Sequence, residues 1–258
     1  MQYTTISNER KGNIEILYLN RPEVLNALSE TMRKELVDYL EHAAKDDSVH
    51  VLILTGKGRA FSSGADLNMF KGAYEAFRKD GIVSEFGRTD LPRAFIDFPK
   101  PMIGAINGAA VGFGLTVSLI CDIRVAAEGA VFSCAFAKIG VTPEFGSSYF
   151  LPRIIGYARA AELAFTTKTI DAQEALQLGL VNQVVPDNEL MHVAEELASQ
   201  ISALPVEAIK AAKRLLRHGG QSTLEQVLPY EGLVFQQRTQ TKEHYDAVCA
   251  TLEAIKGK

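Results

Sequence analysis

The sequence has little cysteine, no long hydrophobic run and only a small excess of negative charge. Its three cysteines, Cys121, Cys134 and Cys249, have neither a paired nor a metal-binding spacing, so we expect reduced thiols in a cytoplasmic protein. A net charge of -4 argues against nucleic acid or an anionic membrane as the main partner. No apolar run approaches the roughly 20 residues that span a bilayer, and residues 1–5 lack the pattern of a signal peptide.

The apolar residues that are present suffice for one large core, since the chain has 258 residues and 47% of them are hydrophobic. Periodicity predicts a helix after Ser29, with Met32, Leu36, Leu40 and Ala43 on its buried face. Strands are predicted at 14–19, 51–55, 102–106, 122–126, 130–133 and 180–185, and further helices at 113–120 and from 147 or 148. Strand–helix–strand order implies parallel crossovers. We expect an α/β core over 1–190, a partly helical flap over 68–98 and a helical region over 191–258.

Two glycine-rich turns lie about fifty residues apart, each directly after an apolar strand. The first, residues 60–67 (AFSSGADL), follows the strand at 51–55, and the second, residues 107–115 (NGAAVGFGL), follows the strand at 102–106. Glycine turns free backbone N–H groups and let a ligand approach the main chain. If the two turns converge, they can bind one oxygen atom as negative charge develops on it.

Other chemistry has weaker support in the sequence. No serine lies in a G-x-S-x-G elbow, and none of the five histidines falls in either turn or in the loop at 140–148. There is no H-E-x-x-H motif or Cys/His cluster for a metal. The Gly112 turn lacks the third glycine of a dinucleotide fingerprint, and the run 56–58 (GKG) lacks the Ser or Thr of a phosphate loop. Either glycine turn, taken alone, also fits a plain strand-to-helix connection.

Taken together and in this order, the two turns resemble those of the crotonase superfamily, the enoyl-CoA hydratase/isomerase fold. The resemblance covers nearly the whole chain, because further marks occur at 19–22 (LNRP), 25–28 (LNAL), 105–108 (AING), 121–122 (CD) and 178–181 (LGLV). It implies a core of repeated ββα units with a helical C-terminal trimerisation region. It also implies an acyl-CoA thioester substrate, no metal or redox cofactor, and a homotrimer or dimer of trimers.

The resemblance also implies roles for particular residues. By motif position, the two amides of the family's oxyanion hole fall on Ser63 and Phe113, and Phe113 begins a helix whose partial positive charge suits an enolate oxygen. The residues expected to contact the CoA part of the substrate are Ala27, Ala60, Gly64, Ala65, Asp66, Leu67 and Gly112, with Phe235 near the adenine. Asp66 also fits a helix N-cap, and the Phe113 ring also fits a core aromatic.

The acid/base residue decides the reaction. Hydratases of this family carry two glutamates, and the corresponding positions here hold Thr116 and Phe136, so the chain is a poor hydratase candidate. Glu144 lies in a segment similar to the Pro-Glu loop of peroxisomal-type Δ3,Δ2-enoyl-CoA isomerases, which implies that Glu144 is the base. It also fits a solvated carboxylate near a helix start. We expect a Δ3,Δ2-enoyl-CoA isomerase; the alternatives are a hydratase or thioester hydrolase of this family, or a non-catalytic acyl-CoA-binding member.

Overall fold

A computed structural model describes residues 3–82 and 87–256, which fold into two β-sheets with helices packed around them. The strands are β1 (Ile6–Lys11), β2 (Ile14–Leu19), β3 (Val51–Gly56), β4 (Ala60–Ser62), β5 (Met102–Ile106), β6 (Ala109–Val111), β7 (Ile123–Ala127), β8 (Val131–Ser133), β9 (Thr169–Asp171) and β10 (Gln183–Val185). The helices are α1 (Glu30–Lys45), α2 (Leu67–Asp80), α3 (Asp90–Ile96), α4 (Phe113–Ile120), α5 (Ser147–Ile155), α6 (Tyr157–Thr166), α7 (Ala172–Gln177), α8 (Leu190–Ser202), α9 (Val206–Gly219), α10 (Leu224–Thr239) and α11 (Lys242–Lys256). This is the predicted α/β fold with C-terminal helices.

The larger sheet has the strand order β1-β2-β3-β5-β7-β10. β1 is an antiparallel edge strand, and the neighbouring pairs from β2 to β10 are parallel, as the strand–helix–strand order predicted. Every residue of β3 and β5 is buried, because helices cover both faces of the sheet at its centre. On one face α1 contributes Met32, Leu36, Leu40 and Ala43 to the core, which confirms the predicted apolar stripe. Ser29 caps this helix by accepting a hydrogen bond from the Met32 amide.

The smaller sheet, β4-β6-β8-β9, brings the two glycine turns together. β4 and β6 pair in parallel, with Ala60 opposite Ala109, and each strand leads through its glycine turn into a helix. The turn after β4 leads into α2, and the turn after β6 leads into α4. Because the carboxyl ends of parallel strands meet at one edge of a sheet, both turns lie at the same edge.

Two predicted segments differ from the structure. The strand predicted at 180–185 is limited to Gln183–Val185, because residues 180–182 form a turn that hydrogen bonds to Arg124. The Arg124 side chain donates to the Leu180 carbonyl at 2.6 Å, and the Asn182 amide donates to the Arg124 carbonyl. The predicted flap at 68–98 contains the helices α2 and α3, and residues 83–86 of it lie outside the described residues.

The C-terminal helices divide into one that covers the core and others that remain open. α8 packs on the larger sheet through Leu190, Ala194 and Ala198, so its apolar stripe is buried within the same chain. In contrast, α10 and α11 expose large apolar side chains, namely Leu224, Leu228, Leu233, Phe235, Tyr245, Val248, Leu252 and Ile255. Within the part of the chain that the structure describes, no helix is both long enough and apolar enough to cross a membrane.

Candidate active site

The two glycine turns are in direct backbone contact. A Cβ atom built on Gly114 would lie 2.3 Å from the Ser62 carbonyl oxygen, well inside van der Waals contact. A Cβ atom on Gly64 would lie 3.2 Å from the Val111 carbonyl oxygen. Only glycine allows the two turns to approach this closely, which explains its presence at both positions.

The first turn is held in place by the segment just before α1. Asn26 is fully buried, and its side chain donates to the carbonyls of Lys57 and Ala60 at 2.9 and 2.8 Å while accepting a hydrogen bond from the Arg21 amide. Both Leu25 and Asn26 have left-handed backbone angles, with φ of 54° and 56°. The segment 25–28 therefore holds the first turn in place. An asparagine suits position 26 because its side-chain amide both donates and accepts the buried hydrogen bonds.

The second turn presents the Phe113 amide at a helix end. Phe113 is the first residue of α4, so its N–H has no carbonyl partner inside the helix. The preceding amide, of Gly112, donates to the Ser133 carbonyl at 3.0 Å. Among the described residues the Phe113 N–H has no hydrogen-bond acceptor. It is thus a free donor at the positive end of the α4 dipole, and its role as an oxyanion donor stays a prediction.

The Ser63 amide, predicted to be the second donor, is already engaged. It donates to the Leu25 carbonyl at 2.9 Å, so the structure does not leave this N–H free for a substrate oxygen. Two residues further on, Leu28 and Ala65 form a parallel bridge in which the Gly64 carbonyl accepts from Leu28 and the Asp66 amide donates to Leu28. This pairing leaves the Ala65 N–H pointing away from Leu28, without an acceptor in the described ranges. Ala65 therefore replaces Ser63 as the free donor of the first turn.

The other predicted contact residues of the first turn have structural partners. Asp66 caps α2 by accepting from the Asn68 amide at 3.2 Å, and it also lies 3.4 Å from the Arg21 guanidinium. Arg21 in turn donates to the Ala27 carbonyl at 2.6 Å, which ties Ala27 to the turn. Ala60 is buried in β4, and Leu67 is exposed at the start of α2. The N-cap alternative for Asp66 is thus confirmed.

Phe235 lies apart from this group. It is on α10, which packs on α9 and α11, and 73% of its surface is exposed. Its predicted place near the adenine remains a prediction.

The orientation of Glu144 is set by an unusual turn just before α5. The amide and the hydroxyl of Ser147 both donate to the Glu144 carbonyl, at 3.0 and 2.7 Å. The next residue, Phe145, has a left-handed φ of 59°, which is rare for a bulky side chain. Its ring is buried in edge contacts with Phe95 and Phe113, with ring centres 5.9 and 5.3 Å apart. This packing fixes Phe145 and sets the direction of the neighbouring glutamate.

The Glu144 carboxyl group points toward α4. Although the residue as a whole is exposed, its Oε1 lies 3.1 Å from the hydroxyl of Thr116, which has no exposed surface. Burial raises the pKa of the Glu144 carboxyl above the ordinary glutamate value, and the hydrogen bond from Thr116 acts in the opposite direction. Thr116 is three residues after Phe113, about 4.5 Å along the helix axis. One helical turn thus carries both a free amide donor and the partner of the acid.

The positions that the resemblance assigns to the hydratase glutamates carry no carboxylate. The Thr116 hydroxyl hydrogen bonds to Glu144. The Phe136 side chain is buried, and its Cε1 would lie 4.0 Å from a Cβ atom built on Gly112. In the described ranges, no group of three His, Cys, Asp or Glu side chains is placed to hold a metal ion. Sequence reasoning missed the contact between Thr116 and Glu144, because a separation of 28 positions along the chain gives no periodic signal.

Comparison with known proteins assigns the chain to a family. Residues 9–257 match the family model described as enoyl-CoA hydratase/isomerase. The short-chain-enoyl-CoA hydratase of Clostridium acetobutylicum is 35% identical over 99% of this chain and 97% of that protein. The 1,2-epoxyphenylacetyl-CoA isomerase of Escherichia coli is 36% identical over 88% of this chain and 86% of that protein. The crystal structure of an enoyl-CoA hydratase from Bacillus anthracis is 32% identical, covers 97% of both chains and superposes with a TM-score of 0.87.

Proposed function

The chain belongs to the enoyl-CoA hydratase/isomerase family, the crotonase superfamily, and from that premise we propose that it is a Δ3,Δ2-enoyl-CoA isomerase. It is an acyl-CoA enzyme of this family, so the substrate carries a thioester carbonyl. The proposal concerns what is done to that substrate. One observation carries it: Glu144 is the carboxylate beside the helical turn that bears the free Phe113 amide, while both hydratase positions lack an acid.

In the proposed reaction the thioester oxygen accepts hydrogen bonds from the amides of Ala65 and Phe113. As the C2–H bond breaks, its electron pair delocalises onto this oxygen and forms a dienolate, which the two donors stabilise. Removing one donor of this kind typically costs about 2.7–4 kcal/mol of barrier. Glu144 accepts the C2 proton and returns it to C4, which moves the double bond from C3 to C2. Because the proton is taken up and given back, the reaction has no net proton change.

The environment of Glu144 suits this role. Burial raises the pKa of the Glu144 carboxyl, and a carboxylate with a raised pKa is a stronger base than one with the ordinary value. A residue that takes a proton and gives it back must reach both forms in each turnover.

A second candidate is hydration of a 2-enoyl-CoA, because several similar proteins bear hydratase names. They include the hydratase of Clostridium acetobutylicum and the crotonyl-CoA hydratase of Syntrophomonas wolfei, which is 32% identical over 99% of this chain. Hydration must position a water molecule and also deliver a proton, and in this family a pair of glutamates does so. This chain has Thr116 and Phe136 at those two positions, and Glu144 is the acid that lies beside Thr116, which favours isomerisation.

The test compares both reactions on one protein preparation. We expect rapid conversion of a 3-enoyl-CoA to the 2-trans-enoyl-CoA and slow hydration of crotonyl-CoA. Glu144→Gln should lower the isomerisation rate by about 10²–10⁴ and leave acyl-CoA binding almost unchanged. The same change at Glu128, an exposed residue of the turn after β7, is the matched control. Hydration as fast as isomerisation, or a loss of only a few-fold in Glu144→Gln, would overturn the proposal.

A further inference from the structure

The Thr116 hydroxyl has two acceptors within reach. Its Oγ1 lies 3.1 Å from Glu144 Oε1 and 3.2 Å from the Phe113 carbonyl oxygen. A threonine hydroxyl carries one hydrogen and two acceptor lone pairs, so it cannot donate to both oxygens at once. Which oxygen receives the hydrogen depends on whether Glu144 is ionised.

In each protonation state of Glu144, one arrangement gives its carboxyl a hydrogen bond with Thr116. When Glu144 is ionised, the Thr116 hydroxyl donates to the carboxylate, in a charge-assisted hydrogen bond. When Glu144 is protonated, its O–H donates to Thr116 Oγ1, and the hydroxyl hydrogen turns to the Phe113 carbonyl. Each arrangement uses the same heavy-atom positions, with oxygens 3.1 and 3.2 Å apart.

We propose that Thr116 is a positioning residue that holds the Glu144 carboxyl in one place in both of its protonation states. The inference rests on the proposed function, because it matters for a carboxyl that gains and loses a proton in each turnover. A hydroxyl whose hydrogen can rotate keeps a partner for the carboxyl throughout. It also acts from the same helical turn as the Phe113 amide, so the base and the oxyanion donor share one rigid support.

Among the described residues, Thr116 is the side chain that hydrogen bonds to the Glu144 carboxyl. The ring of the next residue, Phe145, packs on the ring of Phe113, and Phe136 lies at the neighbouring turn. Among the described residues, no charged side chain contributes to the shift of the Glu144 pKa; burial raises it and Thr116 lowers it. Removing the hydroxyl therefore leaves burial unopposed, and the pKa of Glu144 must rise further.

Three variants separate positioning from simple packing. Thr116→Val keeps the side-chain shape and removes the hydroxyl, whereas Thr116→Ser keeps the hydroxyl. Ser118→Ala is the matched control, because Ser118 is also fully buried in α4 and its hydroxyl donates to the Leu115 carbonyl at 2.6 Å, away from Glu144. This control measures the effect of losing a buried hydroxyl from α4 that does not contact Glu144.

In Thr116→Val we expect the acid limb of the kcat/KM profile to move up by about one pH unit, the size expected for losing a hydrogen bond to a charged group. kcat should fall about tenfold or more, with KM changed by less than about threefold, because geometry at the base affects the chemical step. Thr116→Ser should restore both, and Ser118→Ala should leave the acid limb in place. Carboxyl ¹³C NMR, with the Glu144 signal assigned by its loss in Glu144→Gln, should show the same upward shift in Thr116→Val.

The two proposals fail in different ways. If Glu144→Gln retains isomerisation, the proposed function is wrong, and the NMR titration still shows whether Thr116 controls the carboxyl. If Glu144→Gln is inactive but Thr116→Val keeps the wild-type pH profile and titration, the proposed function stands and the role of Thr116 is refuted. A shift of equal size in Ser118→Ala would also refute it, because the effect would then not depend on contact with Glu144.

Discussion

Replacing Gly114 by alanine tests whether the close contact of the two turns creates the candidate site. The added Cβ would lie 2.3 Å from the Ser62 carbonyl oxygen and 3.0 Å from the Ser62 Cβ. Since van der Waals contact requires about 3.5 Å, the turns must separate by about 1 Å. The Phe113 amide precedes Gly114 directly and must move with it. A misplacement of about 1 Å can cost about 10²-fold in rate, and overpacking costs about 1–3 kcal/mol of stability.

The assay is isomerisation of a 3-enoyl-CoA, measured beside thermal unfolding of the same preparation. Gly72→Ala is the matched control, because Gly72 lies inside α2 and an added Cβ there meets nothing within 4 Å. It should stabilise the protein by about 0.5–1 kcal/mol through helix propensity. If Gly114→Ala folds and retains activity within about twofold of wild type, the contact between the turns does not set the geometry of the site.

The remaining predictions concern the site, the core and assembly. Ser63→Ala should change kcat less than about twofold, because the Ser63 hydroxyl makes only an exposed 3.3 Å bond to a carbonyl; a large loss would show that it takes part in the chemistry. Activity should fall with decreasing pH through a value above 4.5, since burial raises the pKa of Glu144 and protonation removes the base; a limb at or below 4.5 in the kcat/KM profile would contradict this. Asp122→Ala should cost about 2 kcal/mol in urea unfolding, because it leaves the buried Lys213 ammonium without the carboxylate now 2.7 Å away; an unchanged midpoint would show that the pair contributes nothing. Sedimentation should give a trimer or larger, and deletion of 220–258 should weaken both assembly and CoA affinity; a fully active monomer at micromolar concentration would rule this out.

The sequence predicted those helices and strands whose signals lie within their own stretch of chain. The stripe of α1 was readable because Met32, Leu36, Leu40 and Ala43 recur at helical spacing after an N-cap serine. The turn at 180–182 was not, because its buried Leu180 and Val181 look like strand residues. What makes them a turn is hydrogen bonding to Arg124, more than fifty residues earlier, which leaves no local trace.

Long-range contacts also decided a detail of the candidate site that the sequence could not predict, namely which of two amides two residues apart is free. The motif located the first glycine turn, but which of its amides is free depends on pairing with Leu25 and Leu28. That pairing occupies Ser63 and leaves Ala65 available. In the sequence, Thr116 stood out only because it replaces a hydratase glutamate. Its contact with Glu144 arises because α4 packs near the start of α5. Long-range backbone pairing and packing thus decide the details that motifs leave open.

The backbone at Phe145 gives a physical reason to connect the aromatic cluster with the acid. A left-handed conformation costs a bulky L-residue about 1–2 kcal/mol, and φ here is 59°. Packing of the ring against Phe95 and Phe113 offsets that cost, since edge contacts between aromatic rings contribute about 0.5–1.5 kcal/mol each beyond area burial. The same ring packs on Phe113, whose amide is the free donor at the start of α4. The strained residue therefore links the segment that carries Glu144 to the start of α4, and the proposed proton shift needs both in fixed positions.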